Sequence, residues 1–208
     1  MTDASARPPQ HRAVVLLGMP GSGKSTQGHM LGEAPGLVHV VMGDVLRGAR
    51  DQPGIGARLD RGELIPDQRV LDLLGEHLVE LVAAGGYHPG EDLLVLDGVP
   101  RTEAQARALD RRLTVLRAIL LRCDDPDQVR ERLAQRAGEE DRRDDTDPAV
   151  IEARLAGSAE RLEPLRAWYA PDRVVEVDAL QPPLQVRDQI VRELLPVRRG
   201  ADRGAAGG

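Results

Sequence analysis

The sequence predicts an α/β fold in which a five-stranded parallel β-sheet carries helices on both faces. Three observations support this prediction. Short apolar runs alternate with helical segments along the chain, as in consecutive strand–helix–strand units. At 208 residues the chain is long enough for one buried core. Polar motifs directly follow the apolar runs, and in open parallel sheets ligands bind outside the carboxyl ends of the strands.

Five apolar runs account for the strands. Each is short, rich in Val, Leu or Ile and bounded by turn residues, which is typical of a buried strand. The runs lie at 13–17, 37–41, 93–96, 115–121 and 174–177.

Helical segments fill the intervals between these strands. Residues 67–84 carry apolar side chains at helical spacing, which predicts an amphipathic helix that covers the sheet. Pro66 and Asp67 suit the start of this helix, and Thr102 can cap the next one. The other predicted helices lie at 26–31, 44–50, 55–61, 103–112, 126–135, 148–169 and 184–195.

We expect a single folded domain over residues 13–195. Residues 1–12 are polar, contain two prolines and lack an apolar signal core, so a disordered leader is expected. Residues 196–208 are rich in Gly, Ala and Arg and predict a disordered tail.

Composition argues against several classes of protein. A net charge of −6 with 30% charged residues does not suit a general nucleic-acid binder. No apolar run approaches the roughly 18 residues of a membrane span. Cys123 is the only cysteine, so no disulfide can form within the chain, and a cytoplasmic location is favoured. We therefore expect neither nucleic acid nor a membrane as a partner.

A phosphate-binding motif follows the first strand. The segment G-M-P-G-S-G-K-S-T at 18–26 matches the pattern G-x-x-x-x-G-K-[ST]. Its glycines let the backbone N–H groups point at a phosphate chain, and the next helix presents its positive end. Lys24 is the only lysine among 28 Lys and Arg residues, as expected where a compact cation is needed. The motif predicts binding of a nucleoside triphosphate by Gly21, Ser22, Gly23, Lys24, Ser25 and Thr26.

A magnesium site is predicted beside this loop. Ser25 is the hydroxyl that the motif supplies to Mg²⁺. Asp97 ends the third apolar run, where an acid can organise the water molecules around the ion. The alternative interpretation of Asp97 is a turn that its side chain stabilises. The loop and this site together predict a nucleoside triphosphate with Mg²⁺ as the donor.

Segments spread along residues 13–195 resemble the adenylate kinase family. The loop at 18–24 is similar to the family's G-x-P-G-x-G-K, 43–47 to G-D-x-L-R, 96–101 to L-D-G-F-P-R, and 101–105 to R-T-x-x-Q. Residues 132–136, 142–145 and 154–155 resemble the arginine series of the family's lid. The resemblance implies a fold of the P-loop NTPase type, with a mobile acceptor-binding arm at about 43–73 and a short mobile lid at about 134–145. The chain lacks the four cysteines of a zinc-binding lid, so no zinc is expected.

The resemblance also implies roles for the arginines. Phosphoryl transfer leaves charge on the equatorial oxygens of the transferred group, and surrounding cations stabilise that charge. The family places Arg47 and Arg101 at the acceptor's phosphate, Arg142 and Arg154 between donor and acceptor, and Arg132 and Arg136 over the triphosphate. The expected catalytic residues are Lys24, Arg101, Arg132, Arg142 and Arg154.

The acceptor base is the open part of this assignment. In the family a Thr before G-D-x-L-R and a Gln after R-T-x-x select adenine. Here Gln105 is present, but Met42 stands at the Thr position and cannot offer a hydroxyl hydrogen bond. The acceptor contacts that the resemblance implies are Met42, Arg47, Glu63, Leu64, Ile65, Gly98, Val99, Pro100, Arg101, Gln105, Arg142 and Arg154.

The composition and the resemblance to the adenylate kinase family together predict a cytoplasmic, monomeric enzyme of that family. It would transfer the terminal phosphoryl group of ATP to AMP, reversibly and with Mg²⁺, and give two ADP. Met42, and Val99 in place of the family's Phe, leave two alternatives open. One is a nucleoside monophosphate kinase with a different or relaxed base preference, for UMP, CMP or a deoxynucleotide. The other is a weakly active nucleotide-binding paralogue, against which Lys24 and the arginines argue.

Overall fold

The computed structural model describes residues 11–139 and 148–202. Within these ranges strands and helices alternate as the sequence predicts. The elements are β1 (Arg12–Gly18), α1 (Lys24–Gly32), β2 (Leu37–Val41), α2 (Met42–Gly48), α3 (Gly56–Asp60), α4 (Asp67–Ala83), β3 (Leu93–Asp97), α5 (Glu103–Leu109), β4 (Thr114–Arg122), α6 (Pro126–Glu139), α7 (Pro148–Trp168), β5 (Val174–Asp178) and α8 (Pro183–Asp202).

The strands form one sheet in the order β2–β3–β1–β4–β5, and every pairing is parallel. β1 lies at the centre, between β3 and β4. Leu16 of β1 pairs with Asp97 of β3, and Val41 of β2 pairs with Asp97 from the other side. The carboxyl ends of β1, β2 and β3 therefore meet at one edge of the sheet, which confirms the predicted fold class.

Helices cover both faces of the sheet because alternate side chains of each strand point in opposite directions. Val15 and Leu17 of β1 belong to a core that also contains residues of α2, α4, α5 and α7. Val14 and Leu16 belong to a second core, with residues of α1 and α8. The helix that follows the phosphate-binding loop thus lies on one face, and the predicted acceptor-binding arm lies on the other. None of the described helices is long and apolar enough to cross a membrane.

The ends of the folded domain differ from the predicted ones. β1 begins at Arg12, whose guanidinium donates to the carbonyls of Gly90 at 3.0 Å and Glu91 at 3.1 Å. α8 continues to Asp202, although disorder was expected from residue 196. Val197 packs against the core of α1 and α8, a long-range contact that composition does not reveal. Residues 1–10 and 203–208 lie outside the described residues.

The predicted lid coincides with the end of α6. This helix continues to Glu139, beyond the predicted end at 135. Residues 135–139 are good helix formers except Gly138, which favours continuation of the helix despite the missing apolar period. The rest of the predicted lid, 140–145, lies outside the described residues.

Candidate active site

A cavity of about 1010 Å³ opens at the carboxyl ends of β1 to β3. Its walls come from the loop after β1, the start of α2, the loop before α4, the loop after β3, and helices α6 and α7. Cationic side chains outnumber acidic ones in the lining, which favours anionic ligands. The cations are Lys24, Arg61, Arg101, Arg132, Arg154 and Arg161, and the carboxylates are Asp44, Glu63 and Asp97.

The phosphate-binding loop has the geometry that its glycines allow. Gly21 and Gly23 have φ values of 79° and 87°, a region that other residues rarely adopt. A side chain at Gly21 would also meet the carbonyl oxygen of Val129 at 2.9 Å, because α6 packs directly on the loop. Lys24 opens α1, and its Nζ donates to the carbonyls of Gly18 at 2.9 Å and Met19 at 2.8 Å. The ammonium group is therefore held at the loop, where a phosphate chain would be bound.

Ser25 and Asp97 lie side by side at this edge of the sheet. The Ser25 hydroxyl donates to Oδ2 of Asp97 at 2.6 Å. Asp97 is only 4% exposed, since it is enclosed between β1 and β2. Mg²⁺ prefers oxygen ligands and usually takes one or two protein groups together with substrate phosphates and water. The hydroxyl and carboxylate at this position fit that ion.

Arg132 of α6 lies on the same side of the cavity. Its Nη1 donates to the carbonyl of Ala179 at 3.1 Å, which joins α6 to the loop after β5. Sequence reasoning missed several residues that line the cavity here. The loop after β5 follows a parallel strand, so its position at this sheet edge could have been predicted. The missed residues are Gln27, His29, Ala179, Gln181 and Pro183.

On the opposite side, the loop after β3 carries the acceptor motif. A Cβ at Gly98 would lie 3.6 Å from Cβ of Met42 and 3.2 Å from Nη2 of Arg101. Arg101 is exposed to the cavity, and its Nε donates to the carbonyl of Gly98 at 2.9 Å. Gly98 thus separates the core residue Met42 from a guanidinium that faces the cavity.

Most of the predicted site residues share this one cavity. They come from distant parts of the sequence and are brought together by the sheet edge. The predicted residues in the lining are Gly21, Ser22, Gly23, Lys24, Ser25, Thr26, Glu63, Leu64, Asp97, Gly98, Pro100, Arg101, Arg132 and Arg154.

Other predicted acceptor contacts do not line the cavity. Met42 and Val99 are both 0% exposed and belong to the core that α2, α4, α5 and α7 share, and Ile65 belongs to it too. These side chains point at the sheet and helices because apolar burial there outweighs exposure to the cavity. Arg47 forms an ion pair with Asp44, one helical turn away. Two further arginines were predicted to contact the phosphates, but the side chain of Arg136 and the whole of Arg142 lie outside the described residues.

Gln105 also lies behind the cavity wall, where polar groups hold it. It is 1% exposed. Its Nε2 donates to Oδ1 of Asp67 at 2.8 Å, and its Oε1 accepts the backbone N–H of Arg101 at 2.7 Å. Oδ2 of Asp67 accepts from the hydroxyl of Thr102 at 3.0 Å, and that hydroxyl caps α5 by accepting the N–H of Gln105. Sequence reasoning treated Asp67 only as a helix start and missed this link between α4 and the acceptor loop.

Three ionisable side chains in the lining have shifted pKa values, and the first is Arg61, whose pKa is raised by its hydrogen bond to Glu63. The hydrogen bond from Arg61 lowers the pKa of Glu63, with Nε and Oε1 2.6 Å apart. Burial lowers the pKa of His39, and this outweighs the opposite effect of Asp97. The Nε2 of His39 makes no hydrogen bond to any described residue and lies against Gly28 of α1. His39 is therefore a neutral, packed imidazole beside the site.

The fold and the site already define a class of protein. A glycine-rich loop that follows the central strand of a parallel sheet, with a lysine inside it and arginines opposite, is the arrangement of a P-loop enzyme that handles phosphoryl groups. A family model described as an AAA domain matches residues 17–152, so the chain contains a P-loop domain of that kind.

Comparison with known relatives narrows this class. An adenylate kinase of Thermus thermophilus is 37% identical over 191 residues, which cover 86% of this chain and 95% of the relative. An adenylate kinase of Caulobacter vibrioides is 36% identical over 201 residues, 90% of this chain and 99% of the relative. That of Maricaulis maris is 39% identical over 178 residues, with 80% and 90% covered. The chain belongs to the adenylate kinase family, and it is a phosphotransferase.

Proposed function

We propose that this protein transfers the terminal phosphoryl group of ATP to AMP, reversibly and with Mg²⁺, and gives two ADP. One observation carries the proposal: Lys24 of the phosphate-binding loop shares a cavity with Arg101, Arg132 and Arg154, which come from three other elements. Cations on opposite walls suit two phosphate-bearing substrates that meet between them. The names of the relatives support adenine nucleotides as these substrates.

The residues divide the work of the reaction. The loop N–H groups and Lys24 bind the donor's phosphates, and Arg132, which is held at the loop after β5, would contact the same phosphates. Arg101 and Arg154 orient the acceptor's phosphate. One of its oxygens attacks the terminal phosphorus of ATP while the bond to the departing ADP oxygen breaks. The attacking oxygen is already anionic, so no general base is needed and no covalent enzyme intermediate forms.

Magnesium is part of this proposal. Mg²⁺, when bound, would neutralise charge on the donor's phosphates. Ser25 and Asp97 are the residues that would hold it, directly or through water. Their contact at 2.6 Å keeps both oxygens at the end of the loop.

We propose Gln105 for selecting adenine, and because its side chain is 1% exposed behind the cavity wall, the acceptor-binding arm must move before a base can contact it. An amide offers two N–H donors and two acceptor lone pairs. Asp67 uses one N–H and Arg101 uses one lone pair, so one donor and one acceptor remain for a base. Adenine presents the matching acceptor and donor on its pairing edge. Met42 supplies no hydroxyl there, and this keeps a relaxed base preference as the second candidate.

A coupled assay with ATP and a panel of monophosphates tests the assignment. We expect kcat/KM for AMP to exceed that for UMP, CMP and dTMP by at least about tenfold, as a good polar contact to a base contributes. Equal turnover of all four would refute the adenylate assignment and leave the class intact. Tight binding of a bisubstrate dinucleotide without measurable turnover would instead identify a binding paralogue.

We also propose that the protein acts as a cytoplasmic monomer. The support is compositional: 30% charged residues, and a single cysteine, Cys123, that is partly buried. Light scattering of the purified chain should give the mass of one 22.6 kDa copy. A mass of two copies would contradict the proposal.

A further inference from the structure

Arg161 lines the same cavity, yet the roles described above do not include it. It lies on α7 two helical turns after Arg154, so both arginines are on one face of the helix. Ser158, between them, lines the cavity as well. This face of α7 forms a wall of the cavity.

The guanidinium of Arg161 has no partner among the residues that the structure describes, and none of their hydrogen bonds or ion pairs involves it. Arg166 of the same helix differs, since it contacts Glu163 at 3.1 Å and Glu176 at 2.8 Å. Arg161 is half-buried, and a cation that is partly removed from water is destabilising unless a counter-charge compensates it. Its position in the cavity wall suits an anionic ligand as that counter-charge.

Gly157 makes room for this side chain. A Cβ at Gly157 would lie 2.9 Å from Nη1 and 3.3 Å from Nη2 of Arg161. The guanidinium therefore folds back along the helix, across the position where any other residue would carry a side chain. A glycine inside a helix costs about 1 kcal/mol relative to alanine. Gly157 therefore makes the helix less stable than alanine would, but it leaves the space in which the Arg161 guanidinium lies.

The position of α7 indicates which phosphate Arg161 meets. Leu162 and Leu165, next to Arg161, pack in the core shared with α2, α4 and α5, on the acceptor side of the sheet. Gly62, in the acceptor-binding arm, lies against the Arg154 side chain of the same helix. Helices α1 and α8 are on the other face. The wall formed by α7 therefore belongs to the acceptor half.

We propose that Arg161 binds the phosphate of the acceptor nucleotide, beside Arg101 and Arg154. The identity of the acceptor as AMP rests on the proposed function. The contact to a phosphate does not, because it depends only on the charge and position of the guanidinium.

Binding measurements with and without the phosphate test this contact. AMP and adenosine are titrated by calorimetry into wild type and Arg161→Ala, in the absence of ATP. We expect Arg161→Ala to weaken AMP binding about tenfold and adenosine binding less than twofold, and ATP, titrated separately, to bind as it does to wild type. Arg161→Lys, which keeps the charge, should recover part of the AMP affinity. Arg166→Ala is the matched control, and it should bind both ligands as wild type does.

Gly157→Ala provides an independent variant. It keeps the arginine at position 161, but its methyl group fills the space in which the guanidinium lies. We expect several-fold weaker AMP binding without a lower Tm, since alanine favours the helix. A lower Tm with unchanged AMP binding would overturn the role of Gly157.

Three results for Arg161→Ala would overturn the contact itself: AMP affinity within twofold of wild type, equal weakening of AMP and adenosine, or weakening of ATP alone. If the monophosphate panel selects another base, the same titrations use that nucleotide and its nucleoside. A loss confined to the nucleotide then supports Arg161 although the adenylate assignment has failed.

Discussion

The donor and acceptor halves of the cavity are built differently. The donor half consists of a backbone loop, in which Lys24 donates to the loop carbonyls and Ser25 donates to Asp97. In the acceptor half, the predicted base contacts Met42 and Gln105 are buried behind the wall. Binding a phosphate chain with main-chain N–H groups demands particular residues at consecutive positions, so a motif describes the geometry. Recognition of a base depends on how side chains from distant segments pack, and a motif describes only part of it.

Among the substitutions that test the difference between the two halves, the largest effect is expected at Lys24, in the donor half. Lys24→Ala should lower kcat about a thousandfold, the effect of removing a main electrostatic contact to the transferred group. Lys24→Arg should not restore the rate, because a planar guanidinium cannot replace a compact ammonium inside the loop. Initial rates in the coupled assay measure this, with circular dichroism to confirm folding. A decrease below tenfold in the alanine variant would mean that the loop lysine is not essential.

Substitution of Met42 tests whether this residue stabilises the core behind the acceptor half or contacts the acceptor base. Met42→Thr restores the family's hydroxyl but removes buried volume, and it should lower the free energy of unfolding by about 2–3 kcal/mol. We expect KM for AMP to change less than threefold, because Met42 is 0% exposed and faces the core. Urea unfolding and AMP kinetics measure the two effects. A tenfold decrease in KM would show that the hydroxyl reaches the base after all.

Substitution of Asp67 tests the hydrogen bonds that join it to Gln105 and Thr102 behind the cavity wall. Asp67→Ala removes the acceptor for Gln105 and Thr102, so the amide of Gln105 loses its fixed orientation. We expect about a tenfold lower kcat/KM for AMP, with KM for ATP unchanged, since a lost hydrogen bond costs about 1–1.5 kcal/mol.

Asp67→Asn is the matched control for that variant. Its amide oxygen can accept from Gln105 and its amide nitrogen can donate to the Thr102 oxygen, so it should retain most of the activity. If the asparagine variant lost as much activity as the alanine variant, the charge of Asp67 and not the orientation of Gln105 would be responsible.

The smallest expected effect concerns His39, which lines the cavity and packs against Gly28 of α1. Burial lowers its pKa in the folded protein below the ordinary value of 6.5. Below pH 6.5 the unfolded chain gains a proton that the folded protein does not, so stability decreases as pH falls from 6.5 towards the folded-state pKa. The slope contributed by this one group is at most about 1.4 kcal/mol per pH unit. Urea midpoints between pH 5 and 7.5 should therefore decrease less in His39→Gln than in wild type, and equal slopes would exclude this role.

Much of the fold and of the donor half could be predicted from the sequence alone. Strands and helices alternate by their hydrophobic periods, and the glycines of the loop match positive φ values at Gly21 and Gly23. Asp97 follows from its position at the end of an apolar run. These features are local, because each depends on neighbouring residues along the chain.

Only the tertiary structure decided the rest. The burial of Met42 and Val99, the contact of Asp67 with Gln105 and the continuation of α8 past Pro196 depend on which faces meet across the fold. The same holds for Arg161, one arginine among many in the sequence, which becomes distinct through the cavity it faces and the glycine beneath it. Periodicity and motifs describe what a segment can do by itself, whereas burial and hydrogen-bond partners arise from contacts between segments far apart in the chain.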